Sequence, residues 1–238
     1  MLSLFFVEDL PTQVGSTYEF ANEDALHAIK VLRMRTGEVC NLSDGAGKWS
    51  RVEVLEVHKK HMTVQVLESG FQEELPVRFT VVQAIPKGDR IKESIELSTE
   101  GGVDRIVMWK ASRSIGKSED KIDKLQITAR EASKQSRRFR IPKVTGTAST
   151  NDVIDEIAQA DLAIVFHESA TQKISDVVRP GHHSVLIIIG PEGGLTDEEV
   201  DLFAASGAKV ALMGRPVLRS AHAGLAALAA VNTALSVW

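Results

Sequence analysis

The stretch VLIIIGPEGGLTDEEVDLF, from Val185 to Phe203, holds a strand, a loop and the start of a helix in immediate succession. Val185 to Ile189 is an uninterrupted aliphatic run. Such a run suits a strand covered on both faces, as in a parallel sheet. Thr196 with Glu199 three residues later forms a capping box, and Leu195 and Val200 are spaced as a hydrophobic staple. The helix start is therefore well specified. Between strand and helix lies Gly190-Pro191-Glu192-Gly193-Gly194. A loop at the carboxyl end of a parallel strand is where open α/β sheets bind ligands. It lacks the Gly-Lys-Ser/Thr ending of a phosphate loop and is not GxGxxG. Glu192 would repel a phosphate, so a cationic or neutral, adenosine-like ligand suits it better. A plain structural turn is the competing reading.

Working outward, ALMGRPVLRSAHAGLAALAA brings a second glycine loop after the next strand. Gly214 and the small residues that follow let backbone approach a ligand closely. Two such loops ending successive strands can enclose one ligand. The Ala-rich tail also reads as a helix buried against another helix, and the two readings are compatible. Upstream, RFTVVQAI (78–85) is a strand, and KGDRIKESIELSTEGG (87–102) is a helix ending at Gly101 or Gly102. VDRIVMWKASRS (103–114) supplies a second strand. A long helix is expected from Glu119 to Arg138, and ADLAIVFHES (160–169) is a further strand. Alternating strands and helices give an α/β domain with a mainly parallel sheet.

The first seventy or so residues follow a different pattern. Asn22 suits the N-cap of a short helix whose Leu26, Ile29 and Leu32 share one face. Arg51 to Val57 alternates with period two, as in a half-buried antiparallel strand. SDGAGK (43–48) and HKKH (58–61) read as turns. Short strands closed by turns suggest a small barrel. The polar segment SGFQEELP (69–76) is the best linker, which places the domains at 1–72 and 73–238.

The 238 residues are 43% hydrophobic and 25% charged with net charge −4, so any nucleic-acid binding must come from local patches. One such patch is KQSRRFRIPK (134–143), with five basic residues and no acidic one. No apolar run reaches bilayer length, and the start, MLSLFFVEDLP, lacks a signal peptide's basic region. The one cysteine, Cys40, excludes an internal disulfide and cysteine-based zinc sites. These features favour the cytoplasm, with no membrane and no metal.

Six blocks in order carry a resemblance: HAIKVLRMRTGE with the SDGAG turn, KGDRIKESIELSTEGGVDRI, SRS (112–114), REASKQSRRFRIPKV, IGPEGGLTDEEV and MGRPVLRS. Over nearly its whole length the chain resembles the SPOUT superfamily, specifically the 16S ribosomal RNA uridine-N3 methyltransferases. The resemblance implies a PUA-like N-terminal β-barrel and a SPOUT-type α/β domain tied in a trefoil knot. Nothing in periodicity could reveal the knot. It also implies a homodimer acting on 16S ribosomal RNA of the small ribosomal subunit with S-adenosylmethionine as cofactor. Carried over, the cofactor pocket takes Phe166, His167 and Glu168 from one loop. It takes Ile189, Gly190, Pro191, Glu192, Gly193 and Gly194 from the next. Leu212, Met213, Gly214, Val217, Leu218, Arg219 and Ser220 complete it. The chain departs from the family pattern at Arg215-Pro216 and at Ser220-Ala221-His222.

Methylation at uridine N3 needs no covalent intermediate, whereas methylation at C5 needs a cysteine nucleophile. Cys40, in a strand-like segment of the first domain, reads as a small buried hydrophobe. The enzyme must position the base and stabilise an imide anion. Arg219 is the expected catalytic residue, with a salt bridge or phosphate contact as its structural alternative. His222 as a base and Glu192 as a partner for sulfonium charge are each weighed against structural roles. Arg130, Lys134, Arg137 and Arg138 fall at i, i+4, i+7 and i+8 of the long helix. Together with Arg140 and with Arg113 of the SRS motif, they are expected to contact RNA. Lys30 and Arg33, flanked by His27 and Arg35, form a second patch. Competing readings are a related methyltransferase acting on another RNA nucleotide, and a catalytically inactive ribosome-associated RNA-binding protein. A nicotinamide-dependent oxidoreductase is disfavoured because no GxGxxG opens the chain.

Overall fold

A computed structural model describes residues 2–115 and 122–238. The chain divides into two compact units, Met1–Glu74 with Ser133–Ile141, and Leu75–Ala132 with Pro142–Trp238.

The first unit is built on β1 (Leu4–Phe6), β2 (Thr17–Phe20), helix α1 (Glu23–Lys30), β3 (Val39–Ser43), β4 (Lys48–Val57) and β5 (Met62–Phe71). They form a mixed half-barrel in the order β1-β3-β4-β5-β2, with β1 parallel to β3 and the other pairs antiparallel. The period-two pattern of β4 sends Val52 and Val54 inward, where Phe5, Phe20, Leu42 and Met62 meet them. Asn22 caps α1 as expected, accepting from the Ala25 N–H at 3.1 Å. The buried face of α1 differs from expectation. Asp24, Ala25 and Ala28 point inward, while Leu32 is exposed. The reason is polar. Asp24 accepts from the Phe6 backbone N–H at 2.9 Å, which turns the helix so that this carboxylate faces the sheet edge.

The second unit comprises β6 (Arg78–Ala84), α2 (Arg90–Glu100), β7 (Arg105–Trp109), α3 (Ile122–Ser136, its last turn belonging to the first unit), β8 (Lys143–Ala148), α4 (Thr150–Gln159), β9 (Leu162–Phe166), α5 (Ile174–Val177), β10 (Ser184–Ile189), α6 (Asp197–Ala205), β11 (Lys209–Ala211) and α7 (Ser220–Ala234). The sheet is parallel throughout, in the order β11-β9-β10-β6-β7-β8. β10 lies between β9 and β6 and is covered on both faces, which explains its uniform apolar run. β8 and α4 have no counterpart among the expected elements, although Ser149 and Asp152 form a complete capping box at the start of α4. The expected helix start at Glu119 lies outside the described residues, and α3 ends at Ser136 rather than Arg138.

α7 packs on β10, β6 and α2. The helices come close because Gly101 and Gly224 face the contact. A Cβ on Gly224 would lie 2.9 Å from Ser98 Oγ, and one on Gly101 would lie 2.8 Å from Leu225. The chain reaches α7 from β11, the edge strand, so residues 212–219 must return across the sheet ends. Leu212 donates to the Gln172 carbonyl at 2.8 Å on the way. A trefoil knot requires a return path of this kind.

Ser133–Ile141, which holds most of the basic stretch 134–143 expected to face RNA, belongs to the first unit. Phe139 stacks on Trp49 with ring centroids 5.5 Å apart. Its carbonyl accepts from Ser43 Oγ and from the Gly47 N–H, each at 3.1 Å. Ile141 donates to Gly45 at 2.9 Å. The SDGAGK turn is therefore a seat as well as a hairpin connection. Gly47 takes φ +109, and a Cβ there would lie 2.6 Å from the Arg140 guanidinium.

Candidate cofactor and RNA-substrate site

The carboxyl ends of β9, β10 and β11 all open onto one cavity of about 720 Å³ in the second unit. Phe166 ends β9 and His167 and Glu168 follow it, while Ile189 ends β10 and Gly190 to Leu195 follow it. Leu212 to Arg219 follow β11, and Ser220 and Ala223 come from α7. Every residue expected at the cofactor pocket lines this cavity. Arg90, Arg113, Leu195, Arg215, Pro216 and Ala223 line it too, without having been assigned to it. Arg90 carried no signal beyond its place just after Lys87-Gly88-Asp89. Ala223 lies one helical turn beyond Arg219, a spacing that would have found it.

The glycine loop is held from several directions. At its start, Ser220 Oγ donates to the Gly190 carbonyl at 2.7 Å. In the middle, Glu192 accepts from the Lys87 backbone N–H at 3.2 Å and from Arg90 at 3.3 Å. Glu192 thus ties the loop to the start of α2. At the far end, the Arg113 guanidinium donates to the carbonyls of Gly193 at 3.1 Å and Leu195 at 3.2 Å. Glu199 completes the capping box with Thr196 and also accepts from the Ser112 N–H at 2.8 Å. The SRS motif is therefore a bracket for the loop. A Cβ on Gly193 would lie 3.2 Å from that of Arg113, so a side chain there needs Arg113 to give by a few tenths of an ångström. Gly194 takes φ +73, a left-handed conformation that favours glycine whatever fills the cavity.

Arg219 precedes the first turn of α7, is exposed at the cavity, and has no side-chain partner among the described residues. His222 does not line the cavity, and its Nε2 lies 3.0 Å from Glu93 Oε1, bracing α7 against α2. Cys40 is fully buried in the first unit, and burial pushes its thiol up to about 12. It is not a nucleophile at neutral pH.

The residues expected to contact RNA are scattered in role. Lys134 pairs with Asp24 at 2.7 Å, with side chains only 10% and 4% exposed, which removes it from the solvent-facing set. Arg140 donates to the Gln72 carbonyl, pairs with Glu74 and covers the Phe71 ring. Arg130 pairs with the adjacent Glu131. Arg137 and Arg138 lie beyond the helix and not on its face, because the end of α3 is a Schellman turn. Arg138 donates to Ser133 at 2.9 Å and Arg137 to Lys134 at 3.2 Å, with Arg137 at φ +57. Arg33 is also left-handed, at φ +54, three residues past the end of α1, with the Met34 N–H donating to the Ala28 carbonyl at 3.1 Å. Two arginines thus stand where glycine is usual. Lys30 and Arg33 remain exposed.

A family model described as RNA methyltransferase domain matches residues 73–232, and one described as RNA methyltransferase PUA domain matches residues 20–67. The chain is 34% identical to the ribosomal RNA small subunit methyltransferase E of Mycobacterium bovis over 99% of its length and 93% of that protein. It superposes on the ribosomal RNA small subunit methyltransferase E of Neisseria gonorrhoeae, solved bound to S-adenosyl methionine, with TM-score 0.88. That match has 26% identity and covers 98% of both chains. A protein from Legionella pneumophila described as a methyltransferase, in complex with bound S-adenosylmethionine, gives TM-score 0.84 at 27% identity, again over 98% of both chains. The fold, the loops that meet at the cavity and these matches agree: the chain belongs to the ribosomal RNA small subunit methyltransferase E family of RNA methyltransferases.

Proposed function

We propose that the protein methylates N3 of a specific uridine in 16S ribosomal RNA of the small subunit, using S-adenosylmethionine. The observation that carries this reading is the convergence of three post-strand loops, with their tethers, on a single cavity in a chain of this family. The cavity fits the cofactor chemically. Phe166, Ile189, Leu212 and Leu218 offer apolar walls, and the glycine loops offer main-chain edges for a neutral adenosine. Glu168 and Arg215 place both signs of charge at the lining, as a zwitterionic methionyl group needs. Gly214 has no neighbour closer than 3.9 Å to a built Cβ, so its face of the cavity is open.

When bound, the cofactor supplies a methyl group activated on a sulfonium. Arg219 is the residue that meets the imide anion at N3, because its guanidinium is at the cavity and has no side-chain partner among the described residues. Arg113, Glu192 and Ser220 keep the glycine loop in place and take no part in the chemistry. With the sole cysteine buried and protonated, the covalent route to C5 has no nucleophile, which supports N3 as the target. The half-barrel, residues 1–72 with the later segment seated on it, binds RNA, with Lys30, Arg33, Arg137 and Arg138 as phosphate contacts. The protein acts in the cytoplasm as a homodimer.

The test is to incubate purified protein with small ribosomal subunits, or their RNA, and labelled cofactor, then digest to nucleosides for mass spectrometry. Labelled 3-methyluridine is the expected product. A different labelled nucleoside refutes the target. No product on any ribosomal substrate leaves the reading of an inactive RNA-binding protein.

A further inference from the structure

We infer that Gln83, which is not part of the cavity lining, positions the cofactor loops through Ser220. The inference rests on the methyltransferase reading above. Gln83 is the penultimate residue of the central strand β6, only 1% exposed, and pairs in register with Ile189, the residue before Gly190. A buried carboxamide among aliphatic strands is costly unless its polar atoms are used. Here the amide nitrogen donates to the Ala84 carbonyl and to Ser220 Oγ, each at 2.9 Å. Ser220 has one hydroxyl proton, and it goes to the Gly190 carbonyl at 2.7 Å. The bonds therefore run one way, from Gln83 to Ser220 to Gly190. They join the end of β6, the first residue of α7 and the start of the glycine loop.

Direction decides what each residue must be. Ser220 can give its proton to Gly190 while a neighbouring N–H occupies its lone pair, and Gln83 is that neighbour. A carboxylate in place of the amide would accept from Ser220 instead and take the proton away from Gly190. Both loops of the cavity wall would then lose their common anchor, since the loop of residues 212–219 leads into Ser220 and that of residues 190–195 begins at Gly190. Nothing here requires Gln83 to touch cofactor or substrate. Gln83 Oε1 is buried with no hydrogen-bond partner among the described residues, so the carboxamide is held by its donors alone.

The experiment compares wild type with Ser220→Ala, Ser220→Thr, Gln83→Met and the double variant Gln83→Met with Ser220→Ala. It reads S-adenosylmethionine affinity by calorimetry and amide hydrogen exchange without cofactor. Ser220→Ala is expected to weaken binding about tenfold, the scale for one buried bond lost. Ser220→Thr keeps the hydroxyl and binds within about twofold of wild type on the same reasoning. Gln83→Met weakens binding alone but adds little in the Ser220→Ala background, because one path is broken twice. Exchange at the Gly194 amide, which donates to Pro191 at 3.0 Å, rises in Ser220→Ala while the amides of β6 and β10 stay protected. Wild-type affinity in Ser220→Ala, or losses that add in the double variant, overturns the relay. Faster exchange throughout the sheet does so as well, since it makes Ser220 a general stability residue. If Gln83→Met does not fold, the Ser220 pair and the exchange data still decide. Absence of binding by wild type itself sinks the cofactor reading, a separate result.

Discussion

Replacing Lys134 with Met separates the two roles that this residue can have. Lys134 and Asp24 lie 2.7 Å apart with side chains 10% and 4% exposed, and Asp24 also accepts from the Phe6 N–H. Removing the ammonium leaves a buried carboxylate short of its counter-charge, while methionine keeps most of the packing. Breaking one side of such a pair costs about 3–5 kcal/mol. For a chain of this size each kcal/mol moves the melting temperature by about 2–4 °C, so Lys134→Met is expected to melt roughly 10 °C below wild type. Changing Asp24 to Asn in the same protein is expected to recover more than half of that loss, because the carboxylate that lost its ammonium is then neutral. Thermal denaturation by circular dichroism, with RNA titrations on each folded variant below its transition, measures both quantities. A Lys134→Met protein that melts with wild type while losing RNA affinity refutes the reasoning and returns Lys134 to the phosphate-facing set.

Gly214→Val puts a branched side chain into the open face of the cavity without a left-handed backbone to strain, and should abolish cofactor binding in calorimetry while the melting curve is retained. The same change at Gly194 is not diagnostic, because its φ of +73 penalises any side chain. Arg219→Ala should slow single-turnover methylation by about 10²-fold or more with RNA and cofactor affinities changed far less, and Lys should rescue only part of the rate. Arg33→Gly should raise stability by about 1 kcal/mol in urea denaturation by relieving the left-handed strain, and weaken RNA binding by removing one phosphate contact.

The α/β unit was legible because its signals are local. The run at Val185–Ile189, the capping box at Thr196 and Glu199, and the glycines that end strands each depend on neighbours in sequence. The cavity lining followed from the family resemblance, which carried loops distant in sequence to one place. What the sequence did not disclose are tethers between distant segments. Arg113 and Arg140 read as free cations, since nothing beside them announces the carbonyls of Gly193 or Gln72. Helix-face arithmetic misplaced Arg137 and Arg138 because it assumes the helix continues, and a Schellman turn at a non-glycine residue has little sequence signature. The face that periodicity expects α1 to bury is rotated from the one it buries, because periodicity counts Asp24 as a solvent residue and cannot see Lys134, far along the chain.

The seating of Ser133–Ile141 in the first unit has a consequence for how the protein is made. When Glu74 leaves the ribosome the half-barrel has all its strands, yet Asp24 still lacks Lys134 and Trp49 lacks the ring of Phe139. Those partners are synthesised only after β6, α2, β7 and most of α3. The nascent half-barrel must wait with an open seat while the chain lays down the first two of the six strands of the parallel sheet, so the N-terminal domain is completed by the growth of its neighbour. A fragment cut at the linker would keep that seat open permanently.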